Sequence, residues 1–325
     1  MNKILKLVIG ILLSSLGLFY AFRQLDWAVF LAQLAQVNLW WIFFAVVLMI
    51  YSVWIRALRW KLILEPFEQL DTHTLFGSCM IGYFGNNVLP FRLGEVLRAY
   101  SISHNRPISF SSSFGTLILE RLLDMLGLIV LMAILMVFYP LAGWMSGMAY
   151  VVIGGTLFVF AVIIWVGKAS DNRLDRIHQW IDNRSGISQK IFHFMMNMID
   201  GITALKNTHY ISKITMYTAM TWAMYYADAW MITQALNVDI SLVGIGIVLA
   251  TATLSIIIPA APGYIGTYHA AIVYVGTTLF ALSLSTAQAF AIIIHSIGFL
   301  PFVIIGAVYF FKSSLHLSDV KERSI

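Results

Sequence analysis

Asn86-Asn87-Val88-Leu89-Pro90-Phe91-Arg92-Leu93-Gly94-Glu95 interrupts one apolar run, and Pro259-Ala260-Ala261-Pro262-Gly263-Tyr264-Ile265-Gly266-Thr267-Tyr268-His269 interrupts another about 170 residues later. In each stretch a Pro stands four residues before a Gly, Pro90 before Gly94 and Pro262 before Gly266. A simple spanning helix would continue through both places. Irregular backbone at membrane depth is tolerated only where protein buries it or where it lines a wet cavity. Paired breaks in two halves of a chain therefore point to a transport site.

The surrounding sequence supplies the membrane. The chain is 60% hydrophobic and 11% charged, with a mean hydropathy of +0.84, whereas a soluble domain carries about 25% charged residues. The net charge of +5 makes no case for nucleic acid, because the Lys and Arg cluster at segment ends, where they orient spans and meet lipid phosphates. The single cysteine, Cys79, cannot form an internal disulfide, and no Cys or His cluster suits zinc or an iron–sulfur centre. No metal or cofactor is expected. The apolar run after Lys3 and Lys6 lacks a small-residue cleavage site and reads as a retained first span.

Spans of roughly 20 apolar residues fall at 5–22, 39–55, 114–139, 149–166, 211–235 and 287–311. An amphipathic stretch at 26–37 suits the interface, and 168–206 suits a charged amphipathic segment on the cytoplasmic surface. The expected fold is an all-α polytopic membrane protein with six full spans and two broken re-entrant hairpins, at 75–103 and 242–282, in one membrane domain covering 1–325. With the N-terminus in the cytoplasm, Arg56, Arg59, Lys61, the 168–206 segment, Lys312, Lys321 and Arg323 fall inside. The outer loops at 140–148 and 237–241 carry no Lys or Arg, and Arg23 is the one exception, as the positive-inside rule requires. Both termini are then cytoplasmic, in a plasma (inner) membrane.

A shift of about 172–174 residues superposes Gly94 on Gly266 and Arg121 on His295. Each half then reads span, span, broken hairpin, span, giving repeats at 1–140 and 147–312. Three crossings is an odd number, so the second copy is inverted and the hairpins enter from opposite sides.

Ionisable groups inside a membrane are costly and functional by default. Glu120 and Asp124, four apart, share a helix face with Arg121 beside them; Arg92, Glu95 and Arg98, three apart, share a face if their arm is helical. One reading has arginines gripping a lipid phosphate with the guanidinium fork, with the carboxylates holding them or titrating. The other is an ion-pair cluster tying hairpin to span, and the two are compatible. Asn86 and Asn87 can bond backbone freed by Pro90, or a headgroup. Pro262, Gly263 and Gly266 permit unwound backbone and a helix start, which favours an anion, with Tyr268 and His269 in the first turn; the alternative is a tight turn between ordinary spans. His269, His295 and Asp228 are buried structural residues or carriers of a coupled proton. Arg56 and Arg59 read as interfacial anchors. No P-loop, Gly-x-Ser-x-Gly, His-Glu-x-x-His or aspartate-rich motif is present.

The chain resembles the lysylphosphatidylglycerol synthase transmembrane family, described also as flippase-like integral membrane proteins. The resemblance rests on Arg56-x-x-Arg59-Trp60, Asn87-x-Leu89-Pro90-x-Arg92-x-Gly94-Glu95-x-x-Arg98, Glu120-Arg121-x-x-Asp124 and Pro259-x-x-Pro262-Gly263-x-x-Gly266. It implies movement of a phospholipid or lipid-linked group between leaflets. It also implies a separate lipid-modifying enzyme as partner, since this chain ends at Ile325 without a soluble synthase domain. His269 stands where many relatives have Glu, and His295 where many have Arg, so the relatives' headgroup preference does not transfer. The expected site comprises Asn86, Asn87, Arg92, Glu95, Arg98, Glu120, Arg121, Asp124, Gly263, Gly266, Tyr268 and His269, with Asp228, His269 and His295 as proton-coupling candidates. Two other readings stay open: an enzyme or accessory subunit acting on polyprenyl-phosphate-linked sugars, with Glu120, Asp124 and Asp228 as acid–base candidates, and a transporter of a small soluble anion.

Overall fold

The computed structural model describes residues 3–89, 93–104, 106–138, 147, 150–151, 153–158, 161, 187–257 and 260–313. Among these residues there are helices and turns but no strand. In chain order they form α1 (Lys3–Phe22), α2 (Trp27–Ala35), α3 (Leu39–Leu64), α4 (Thr72–Val88), α5 (Gly94–Ser103) and α6 (Phe110–Phe138). The second half contributes α7 (Ile187–Ile202), α8 (Ile211–Ala235), α9 (Leu242–Ile257), a 3₁₀ turn (Pro262–Tyr264), α10 (Thr267–Thr278) and α11 (Leu284–Lys312). Most of the expected span at 149–166, the 168–186 part of the charged segment, and both Pro90 and Arg92 lie outside the described residues.

Among the described residues three helices, α3, α6 and α11, are long and apolar enough to cross a membrane, with 26, 29 and 29 residues. At 1.5 Å per residue each exceeds the hydrocarbon core of about 30 Å. α1 and α8 have 20 and 25 residues, and α8 is made less apolar by Lys213, Asp228 and its Thr and Tyr residues. The long helices expose apolar stripes at helical spacing: Val130, Ile134 and Val137 on α6, and Leu300, Ile304, Val308 and Phe311 on α11. Such surface belongs in lipid. Polar residues mark where chain leaves it. Asn38 accepts from the Trp40 N–H at the start of α3, Asp71 from Thr74 at α4, and Ser283 from Thr286 at α11, which satisfies first-turn donors.

The hairpin arms are shorter. α4 and α5 have 17 and 10 residues, α9 and α10 have 16 and 12. None reaches the roughly 20 residues a crossing needs, so each pair turns back. α4 stops at Val88 because Leu89, ahead of Pro90, is held in extended backbone, the conformation a following proline imposes.

Packing exchanges partners between the halves. α4 lies on α11 and α9 lies on α6; α5 lies on α6 and α10 on α11; the short helices follow suit, α2 on α11 and α7 on α6. At the centre α3 and α8 run antiparallel, joined at one end by the Asn38 N–H donating to the Ala235 carbonyl (2.9 Å) and by the Trp41–Trp230 edge contact. Small residues allow the close crossings: the backbone of Met80 leaves no room for a Cβ at Gly306, nor that of Met198 at Gly115. Trp60, Ile63, Leu64, Leu75 and Ile102 fill the core of the first half; Ile232, Ile245, Ile272 and Phe290 fill that of the second. The last turn of α4 also touches the Pro262–Tyr264 turn, so the tips of the two hairpins meet.

Candidate functional site

Arg56 and Arg59 are one turn apart on α3, and Glu120 and Asp124 one turn apart on α6, so the two pairs face each other as matched forks. Arg56 donates to Glu120 (2.6 Å) and to Asp124 (2.9 Å); Arg59 donates to Asp124 (2.7 Å). Arg98 from α5 adds a bidentate pair to Glu120 at 2.8 and 2.9 Å, and its guanidinium lies 3.9 Å over the Trp60 ring. Trp60 is fixed by donating from Nε1 to Thr116 Oγ1. The same arginines reach α8, Arg56 donating to the Tyr225 hydroxyl (3.2 Å) and Arg59 to Thr218 (3.1 Å). One buried carboxylate thus joins α3, α5 and α6. Arg56 and Arg59 are 3% and 0% exposed, which corrects their reading as interfacial anchors. Desolvating such charges costs several kcal/mol per ion, recovered only when geometry and hydrogen bonding are good.

The tip of the first hairpin is built by Asn86. Its Oδ1 accepts from the Gly94 N–H (3.0 Å), bridging the break, and its amide faces Glu95 at 3.5 Å. Gly94 is pressed against the Gly82 carbonyl and Asn86, which leaves no space for a side chain. Glu95 Oε1 takes a 2.5 Å bond from Arg121, and Arg121 lies 3.5 Å from Asp124. Arg121 differs from the other three arginines: 41% of its side chain is exposed, whereas theirs are 4% or less.

The second tip is made by backbone and histidine. Gly263, Tyr264 and Gly266 have φ of 70°, 60° and 100°. Gly266 is backed against the Ser14 carbonyl of α1, where a Cβ has no room, so only glycine suits both its backbone and its neighbour. Ser14 Oγ accepts from the Ala261 N–H (2.7 Å). His295 Nε2 lies 2.7 Å from the Gly263 carbonyl, and since a carbonyl only accepts, Nε2 is the donor. His269 Nδ1 accepts from the Gly266 N–H at 3.4 Å, and the His269 and His295 rings are 4.6 Å apart.

A cavity of about 520 Å³ opens where the tips meet. Asn86, Asn87 and Glu95 line it from the first hairpin; Gly263, Tyr264 and Tyr268 from the second; Arg121 and Asp124 from α6, Asp228 from α8 and His295 from α11. Four residues expected at the site stand elsewhere. Arg98 and Glu120 are paired with each other behind the wall, and Gly266 and His269 are packed beside α1 and form no part of the lining. Tyr83, Tyr225 and Tyr264 line the cavity without having been expected at the site, and so does Arg56, which was expected as an anchor. Spacing held a usable signal for Arg56, since a three-residue arginine pair complements a four-residue carboxylate pair, and for Tyr225, one turn from Asp228.

The charge balance of the cluster is simple. Among the described residues, Arg56, Arg59, Arg98 and Arg121 stand against Glu95, Glu120 and Asp124, leaving one net positive charge; of the two guanidiniums that line the cavity, Arg56 and Arg121, Arg121 is the exposed one. The volume is that of a small-molecule site, about 300–1,000 Å³. Among the described residues no group of three His, Cys, Asp or Glu is placed to hold a metal ion.

Three comparisons bear on kinship. The chain is 23% identical over 98% of its length to the glycosyltransferase AglD of Haloferax volcanii, and spans 56% of that protein. It is 25% identical to a UPF0104 membrane protein of Methanothermobacter thermautotrophicus, covering 85% of this chain and 86% of the relative. It is 25% identical to a UPF0104 membrane protein of Methanocaldococcus jannaschii, covering 70% of this chain and 93% of the relative. No solved structure matches it. The sequence model of the lysylphosphatidylglycerol synthase TM region matches residues 7–306, and the chain belongs to that family of integral membrane proteins.

Proposed function

We propose that this protein moves a phospholipid or lipid-linked group between membrane leaflets, holding its anionic headgroup in the cavity while the chains stay in lipid. The observation that carries the reading is the meeting of two hairpin tips around a headgroup-sized space lined, among the described residues, by the exposed guanidinium of Arg121. The other arginines are neutralised by carboxylates and act as scaffold; Arg121 is held in aim by Glu95 and Asp124. Guanidinium–phosphate bonds are charge-assisted and directional. Asn86, Asn87 and Tyr268 supply further polar contacts.

The proposal extends to the architecture. The exchange of packing partners between α4/α11 and α9/α6, and between α2/α11 and α7/α6, supports an inverted pair of repeats, 1–140 and 147–312, rocking about a fixed midplane site. The Lys and Arg distribution supports a plasma-membrane orientation with cytoplasmic termini. Proton coupling through Asp228 and His295 belongs to the same proposal, as does supply of the cargo by a separate lipid-modifying enzyme.

A second reading has a specific observation behind it: nearly the whole chain aligns with a protein named as a glycosyltransferase. Under it the chain is an enzyme, or an accessory subunit, for polyprenyl-phosphate-linked sugars. The ion pairs weigh against Glu120 and Asp124 as acid–base groups, because their oxygens are engaged by guanidiniums. Paired assays separate the readings. Purified protein in vesicles should accelerate leaflet exchange of a fluorescent anionic phospholipid, and in detergent should form no product from a polyprenyl-phosphate sugar. Product formation in detergent with no exchange in vesicles would reverse the choice.

A further inference from the structure

Asp228 is the unexplained charge of the cavity. It stands on α8 and lines the cavity, yet is only 5% exposed. Its Oδ1 is buried and has no hydrogen-bond partner, and none of the ion pairs among the described residues includes it. The contrast with Glu120, which receives two arginines at hydrogen-bond distance, is complete. A carboxylate left in that state is energetically costly, and a partner that arrives with the cargo offsets the cost.

The position gives the partner's chemistry. Tyr225, one turn earlier on α8, already receives Arg56. Asp228 lies three residues further along the same face, about 4.5 Å along the axis. Tyr264, Tyr268 and His295 line the same cavity, and the His295 Nε2 proton is committed to Gly263. The cavity therefore carries an exposed guanidinium, Arg121 on α6, and a carboxylate acceptor without a partner, Asp228 on α8. Its volume of about 520 Å³ exceeds what a bare phosphate needs.

We propose that Asp228 is a cargo-recognition residue, accepting hydrogen bonds from a donor group that the headgroup carries beyond its phosphate, a hydroxyl or an ammonium. The assignment rests on the translocation reading above. Arg121 holds the phosphate, and Asp228 tells a headgroup with a distal donor from one without.

The test uses the purified full chain in detergent, with retention of three lipids read by native mass spectrometry. Phosphatidylglycerol offers hydroxyls, phosphatidylethanolamine an ammonium, and phosphatidic acid no distal group. Wild type should retain one or both donor-bearing lipids over phosphatidic acid. Asp228→Asn should lower that preference about tenfold and leave phosphatidic acid unchanged. An unaltered preference in the variant overturns the assignment. Arg121→Ala tests the parent reading separately: it should weaken all three alike, and three unchanged lipids would sink translocation at this cavity whatever Asp228 does. A measurement on wild type alone guards against a misfolded variant. Glycerol phosphate or phosphoethanolamine should displace bound lipid at lower concentration than methyl phosphate, and equal displacement by all three overturns the assignment as well.

Discussion

The two hairpins solve one structural problem with different materials. The first is held by side-chain charge: Asn86 bridges its break, Glu95 anchors Arg121, and Arg98 locks its second arm to Glu120 on α6. The second is held by backbone fit: Gly266 is wedged on α1, Ser14 takes the Ala261 N–H, and two histidines close the turn. The difference extends to the positions that the proposed repeat would make equivalent. A shift of 172 brings the start of α3 onto that of α8, and one of 174 brings α6 onto α11; Arg56 then falls on Asp228, and Arg121 on His295. Under the proposed repeat, a site between the two halves would carry unlike groups, guanidiniums from one half and a lone carboxylate from the other.

Removing the charge from the first half should have the largest effect. Glu120→Gln strands buried guanidiniums from α3 and α5 and should destabilise by about 3–5 kcal/mol, read as a large fall in melting temperature in detergent. A variant that melts like wild type would break the claim that ion pairing holds this hairpin. Gly266→Ala tests the second half: at φ of 100°, against the Ser14 carbonyl, it should cost at least about 1–3 kcal/mol. A neutral outcome would mean that the tip does not depend on its seat on α1. Ser14→Ala should have a smaller effect, about 1 kcal/mol, by leaving the Ala261 N–H without its acceptor. The same thermal assay reads it, and equality with Gly266→Ala would blur the distinction between steric and hydrogen-bonded parts of the seat.

Much of the architecture was legible before any coordinates. The Pro–Gly breaks located both hairpins, since proline spacing and the length of apolar arms are local properties. The apolar runs located α6, α8 and α11 to within a few residues, whereas α3 continues nine residues past the expected end at 55, through the buried Arg56 and Arg59. The roles of the arginines were less legible. Arg56, Arg59, Arg98 and Arg121 look alike in sequence, and whether each is buried against a carboxylate or open to a cavity depends on which helices pack together. Arg56 closes an apolar run and precedes Lys61, which imitates an interfacial anchor; only the facing of α3 and α6 turns it into a buried partner of Glu120 and Asp124. The separation of His269 from the cavity arises from contact with α1, about 250 residues away in sequence. A single sequence carries little trace of such a contact.

The most direct test of the central claim is leaflet exchange of a fluorescent anionic phospholipid in vesicles holding equal amounts of wild type and Arg121→Ala, with melting temperatures measured alongside. Arg121 is the exposed guanidinium of the cavity among the described residues, so its loss should slow exchange about 10–100-fold, the equivalent of one charge-assisted hydrogen-bonding group, while the melting temperature falls much less than in Glu120→Gln. Exchange at the wild-type rate by a folded Arg121→Ala protein would contradict the account.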